Sequence, residues 1–131
     1  MTQRRSIINT ILFLGVVFLS SLNEKPVLGA SQSLGGVVLT EVAPRIVTPN
    51  GDMLNDVIFF RFDSALSGLP VETAILDLHG AKVAEMTLDT NETALLWNGK
   101  GDSNQNVPTG IYVYSIKLGK NLATGTVVVA R

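Results

Sequence analysis

The sequence predicts an all-β sandwich of about seven antiparallel strands, and three observations lead there. Short stretches alternate apolar and polar residues with period two. The cleanest follows Gly110, where Tyr112, Tyr114, Ile116 and Leu118 share one face and Ser115 and Lys117 take the other. Turn formers punctuate these stretches: Gly99, Gly101, Asp102, Ser103, Asn104 and Asn106 follow Trp97, and Gly119 and Asn121 follow Leu118. No stretch after residue 30 carries a helical period long enough to place a helix. Greek-key connections are the natural way to join so many short strands.

The front of the chain stands apart. Arg4 and Arg5 precede an apolar stretch over 7–19, and a more polar stretch ends in Leu28-Gly29-Ala30. A charged start, a short apolar middle and a small-residue end describe a secretory signal peptide, residues 1–30, cut after Ala30 or Gly29. The apolar stretch is shorter than the ~20 residues a membrane-crossing helix needs. Residues 31–36 are then a flexible lead-in, and 37–131 form one domain, which suits a chain of 131 residues.

Beyond residue 30 there are seven Lys/Arg against ten Asp/Glu, a net charge of −3. A mildly acidic chain without basic clusters argues against nucleic acid as a partner. With no cysteine, an exported domain must be held by its core and not by disulfides.

In order, the strand candidates are 37–47, 57–63, 71–78, 82–88, 93–97, 111–118 and 123–130. Pro44 interrupts the first, marking an edge or a bend where the strand changes sheets. In the second, Ile58, Phe60 and Phe62 face inward and Arg61 and Asp63 outward. The third and fourth flank His79-Gly80-Ala81, a hairpin with Gly80 where a positive φ is wanted. Across it, Ala74, Leu76 and Leu78 are expected to face Ala84, Met86 and Leu88.

Several of these segments resemble known modules. LWNGKGDSNQNVPTGIYVYSIKLG (96–119), with TGTVVVAR at the end, resembles the Ig-like domain of the bacterial flagellar hook-capping protein. It is equally similar to the C-terminal sorting domains of type nine secretion. ILDLHGAKVAEM (75–86) resembles the hairpin these families share. TPNGDMLND (48–56) resembles the opening loop of gliding-motility-associated C-terminal domains, where Gly is usual at the place of Met53. The resemblance implies an Ig-like, or fibronectin-III-like, sandwich. It implies contact with other proteins more than any one activity, because such modules are attached to many proteins. The hook-capping protein has a hook-binding region and no cleaved leader, and sorting domains sit behind a cargo domain. Neither arrangement is expected here; the expectation is the module alone, delivered outside the cytoplasm.

Candidate chemistry concentrates in two loops. Asn50, Asp52, Asn55 and Asp56 supply oxygen-bearing side chains, as a calcium loop would, and Asp102, Asn104 and Asn106 could add more. The alternative is that Asn, Asp and Gly are what tight turns use. A closing Glu of the EF-hand kind is missing, so turns are expected and no cofactor, with calcium as the open alternative. His79, the one histidine, sits beside a turn glycine, and no serine lies in a nucleophile elbow. The chain is expected not to be an enzyme. Asn91-Glu92-Thr93 is a glycosylation sequon, relevant only in a host with that machinery.

Four residues are expected to be architectural. Trp97 anchors the centre of the sandwich, with a sugar platform as its sharper alternative. Tyr112 fixes a corner by bonding back to the backbone, as in Ig-like domains. Gly80 and Gly110 serve turns. The last strand, with Thr126, Val128 and Arg131, is expected at a sheet edge where a partner can pair with it.

The function expected is that of an exported, non-enzymatic module working by protein contact. It would be a structural or assembly component of an envelope, surface appendage or secretion apparatus, in the periplasm, at the cell surface or outside the cell. The alternatives are a secretion sorting module, cut off during export, and a calcium- or sugar-binding adhesion module. A protein partner is expected, self-association included, and contact with membrane only through the leader during export.

Overall fold

A computed structural model describes residues 31–131; the leader expected over 1–30 lies outside the described residues. Ten strands make the domain: β1 (Gln32–Ser33), β2 (Val38–Ala43), β3 (Ile46–Val47), β4 (Ile58–Phe62), β5 (Val71–Leu76), β6 (Lys82–Ala84), β7 (Thr87–Leu88), β8 (Ala94–Trp97), β9 (Gly110–Leu118) and β10 (Asn121–Val129). They form two five-stranded sheets, ordered β1-β2-β4-β8-β7 and β3-β10-β9-β5-β6. That is the strand order of an immunoglobulin-type sandwich, and the all-β expectation holds.

Alternation builds the core. Ile58, Phe60, Phe62, Leu95 and Trp97 point inward from the first sheet, and Ile75, Tyr112, Tyr114, Ile116, Val127 and Val129 from the second. Two edge-to-face aromatic pairs join the layers, Phe60–Tyr114 at 5.0 Å and Trp97–Tyr112 at 5.7 Å between centroids. In β2 the buried residues are Leu39 and Val42, a spacing of three that simple alternation forbids. A register shift between Leu39 and Glu41 supplies the extra residue, as a β-bulge does.

Five expectations need correction. The lead-in is not loose: Gln32 and Ser33 pair with Leu39 and Val38, and Leu34 is buried to 1% exposure. Gln32 also clasps the other sheet. Its side-chain amide donates to the Thr124 carbonyl (3.0 Å) and accepts from the Thr124 amide (3.1 Å), as a strand would. The stretch 37–47 does change sheets at Pro44, but β3 then runs parallel to β10, so the sandwich is not wholly antiparallel. The stretch 82–88 is two strands in different sheets. Met86 turns inward at the crossing, its amide donating to Thr73 Oγ1, so the chain passes from one layer to the other there.

The hairpin faces are also offset by one residue. Ile75 pairs with Ala84 and both are buried, whereas Leu78 is 66% exposed beyond the strand end. β5 keeps an unbroken register with β9, where Thr73 lies opposite Ile116 and Ile75 opposite Tyr114. Its inward set is therefore one residue out of phase with Ala74, Leu76 and Leu78; on the β6 side the register slips after Ile75. The last expectation to fall is the free C-terminal edge. β10 lies between β9 and β3, and ahead of β3 its backbone is met by Gln32 at Thr124 and by Arg45 at Thr126. The edge strands of both sheets have only two or three residues, which leaves little backbone for a partner to extend.

Candidate functional site

The residues singled out for chemistry gather at one end of the sandwich. Val47, Val129 and Gly110 are neighbours across β3, β10 and β9, and the loops 48–56 and 98–106 project beyond them. Between the loops lies an open groove of about 550 Å³, lined by Asn50, Asp56, Val57, Asn98, Lys100 and Asn106.

In loop 48–56 the polar side chains fold the backbone. Asp56 Oδ1 accepts the amides of Asn50 (2.9 Å) and Gly51 (3.0 Å), and its Oδ2 accepts that of Met53 (2.6 Å). Asn50 Oδ1 takes the Asp52 amide and Asp52 Oδ1 the Leu54 amide, two Asx turns in succession. The amide bonds, Gly51's foremost, hold the Asp56 carboxyl below its ordinary range. The four proposed calcium residues are thus brought together, but with three of them engaged by amides. Among the described residues no group of three or more His, Cys, Asp or Glu side chains is placed to hold a metal ion. Asp102, of the second loop, accepts the Glu85 amide (3.1 Å) and gives its own amide to the Val83 carbonyl.

The same loop carries its apolar residues outward. Met53 and Leu54 are 90% and 68% exposed, and Met53 has φ +70°. A bulky side chain in that region costs about 1–2 kcal/mol, and Asp56 holds it there.

Three of the four residues expected to be architectural hold core or backbone in place. Trp97 is 2% exposed, and its indole N–H donates to the Lys100 carbonyl at 2.8 Å, so its face is not offered to a ligand. The Tyr112 hydroxyl donates to the Pro108 carbonyl at 2.7 Å, four residues upstream. Burial raises the pKa of both Tyr112 and Tyr114. Gly80 sits at φ +86° in a turn clamped by Asp77, whose Oδ1 accepts the amides of His79 and Ala81. His79 is itself exposed. Gly110 shows no positive φ; it simply opens β9 opposite Val129.

Of the three residues assigned to a partner, Thr126 is exposed and Val128 is half-buried between Ile111 and Ile46. Arg131 is spread over this end of the domain. Its Nε donates to the Val107 carbonyl (3.0 Å), one terminal nitrogen to Pro49 (3.1 Å) and the other to Gly99 (3.0 Å). One guanidinium therefore ties the last strand to both loops, a use of its planar fork that lysine could not copy.

Sequence reasoning missed the clamp role of Asp77 and the clasp of Gln32. It also missed Gly125, opposite Tyr114, where an added Cβ would come within 2.5–2.7 Å of the tyrosine ring and hydroxyl. An Asp two residues ahead of His-Gly was a readable turn signal for the first; nothing local marked the other two.

A family model described as CHU_C, type IX secretion signal domain, matches residues 41–129. That span runs from the middle of β2 to the end of β10 and bears out the secretion-domain side of the resemblance. No curated protein matches. Among solved structures, the crystal structure of CopC from Methylosinus trichosporium OB3b is similar at a TM-score of 0.38 and 15% identity. The match covers 56% of this chain and 74% of that one.

Proposed function

The chain belongs to the family of type IX secretion signal domains, and on that premise we propose that its sandwich is the part of the protein that the export machinery reads. Family membership makes the protein an exported one. The observation that carries the reading is the extent of the match, which runs from within β2 through β10 and takes in both end loops. On this reading the domain acts by contact and not by turnover. Its lone histidine is an exposed turn residue, and its loop carboxylates are used to fold backbone.

Firm tertiary structure suits such a role. Arg131 and Asp56 hold loops that would otherwise move, so the end of the domain offers one shape to a receptor. The test uses the native chain in a host that has the type IX system, beside a strain lacking its outer-membrane channel. The chain should appear outside the first strain and accumulate in the periplasm of the second. Equal release from both strains would rule out the sorting role.

A second reading, a structural or assembly component at the cell surface, is favoured by the rigid apolar tip at Met53 and Leu54. Intact mass of the exported chain separates the two. A sorting module is removed on export, whereas an assembly component keeps the sequence through Arg131.

A further inference from the structure

The sequence holds two Asn-Gly pairs, Asn50-Gly51 and Asn98-Gly99, and the fold sets both asparagines against the same groove. Asparagine before glycine is chemically fragile, because glycine has no Cβ to keep its backbone nitrogen away from the asparagine side chain. When that nitrogen gives up its proton, it can attack the asparagine Cγ. The new C–N bond closes a succinimide ring, and the side-chain nitrogen takes up a proton and leaves as ammonia. Water then opens the ring at either carbonyl, giving aspartate, or isoaspartate with one extra atom in the main chain. Both asparagines are exposed, so water can enter and ammonia can leave.

One side chain holds each pair closed. The Gly51 amide donates to Asp56 Oδ1 at 3.0 Å, and Asn50 Oδ1 is fixed by accepting the Asp52 amide at 2.9 Å. Taking the proton from the Gly51 amide would set a second negative charge beside the carboxylate, which opposes it. At the second pair the guard acts on the carbonyl of the glycine. Arg131 donates to the Gly99 carbonyl at 3.0 Å and to the Pro49 carbonyl at 3.1 Å. The Pro49 ring lies over buried Gly99, where an added Cβ would come within 2.8 Å of it. Asn98 Oδ1 meanwhile accepts the Lys100 amide at 3.2 Å. A donor on that oxygen stabilises the charge it gains when Cγ is attacked, so Asn98 is primed and its glycine is held back.

We propose that Asn50 and Asn98 are latent sites of deamidation through a succinimide, Asp56 guarding the first and Arg131 the second. Conversion at Asn98 has the larger structural consequence. Isoaspartate lengthens the main chain next to Gly99, whose carbonyl then no longer meets Arg131, and it puts a negative charge in the groove beside Lys100. A transient opening of this end of the domain is thereby recorded as a covalent change. The inference goes beyond the secretion reading and does not depend on it.

Peptide mapping by mass spectrometry tests it after incubation at mildly alkaline pH. The samples are the purified chain, Asp56→Ala, Arg131→Ala and the parent unfolded in guanidinium, and the readout is aspartate plus isoaspartate at positions 50 and 98. In the folded parent both pairs should convert at least about tenfold more slowly than in the unfolded chain, the factor set by one hydrogen bond to a charged group. Asp56→Ala should speed conversion at Asn50 by about that factor and leave Asn98 protected, and Arg131→Ala should do the reverse. A folded parent that converts at the unfolded rate at either position would overturn the proposal. So would a variant that speeds both positions alike, as general unfolding does, or one that speeds neither.

Discussion

Arg131→Ala should loosen one whole end of the domain. The guanidinium donates to the carbonyls of Val107, Pro49 and Gly99 at 3.0, 3.1 and 3.0 Å. Hydrogen bonds to charged groups contribute about 1.5–3 kcal/mol each where water is excluded. The Pro49 contact is exposed, so water replaces it at little cost; the other two are partly buried. With partial access of water to those two, the loss should come to about 2–3 kcal/mol. A urea slope of about 1–3 kcal/mol/M for a small domain turns that into a midpoint lower by roughly 1–2 M. Amide exchange should quicken first at Val107, whose own bond to the Gly99 carbonyl is long at 3.3 Å and shares that oxygen with Arg131. Arg131→Lys should recover less than half of the loss, because a single ammonium cannot span three carbonyls. An unchanged midpoint in Arg131→Ala would refute the reasoning, and full rescue by lysine would show that charge alone matters.

Four further outcomes are expected. Trp97→Ala should cost about 3–5 kcal/mol, the range for deleting a large buried aromatic, and a denaturant midpoint equal to the parent's would return the sugar-platform reading to contention. Gly125→Ala should cost about 1–3 kcal/mol by overpacking against Tyr114, and combining it with Tyr114→Leu should cancel most of the loss in a double-mutant cycle. The Asp56 pKa is depressed in the folded state, so its stabilisation is present above the ordinary carboxylate value of about 3.9 and is lost as pH falls through the folded value. Melting curves of Asp56→Asn should therefore lie below the parent at neutral pH and merge with it in acid. Millimolar calcium should leave the parent's Tm where it is; a rise abolished by Asp52→Ala would reinstate the calcium loop.

The sequence by itself determined the class of fold and most of its inward faces. Alternation places Ile58, Phe60 and Phe62, and Tyr112, Tyr114 and Ile116, on the core side without knowledge of any partner, because a strand with one buried face can be read two residues at a time. Turn chemistry was equally local: Asp56 and Asp77 reach amides no more than six residues away, and Tyr112 reaches Pro108 four residues back. Where a bulge or a change of sheet intervenes, that local rule fails. β5 took the opposite phase to the one expected because Thr73 and Ile75 lie opposite Ile116 and Tyr114 of β9, and beyond Met86 the chain passed to the other sheet. Only the tertiary structure could decide the rest of the candidate site. Arg131 meets Pro49 across 82 positions, and Gln32 meets Tyr114 and Thr124 across 82 and 92. Such contacts leave no periodic trace, since what selects them is the arrangement of strands that brings distant backbone within reach of one side chain. The final strand shows the consequence most plainly. Its residues suit an edge, and it became an interior strand because β3 and the side chains of Gln32 and Arg45 came to lie beside it.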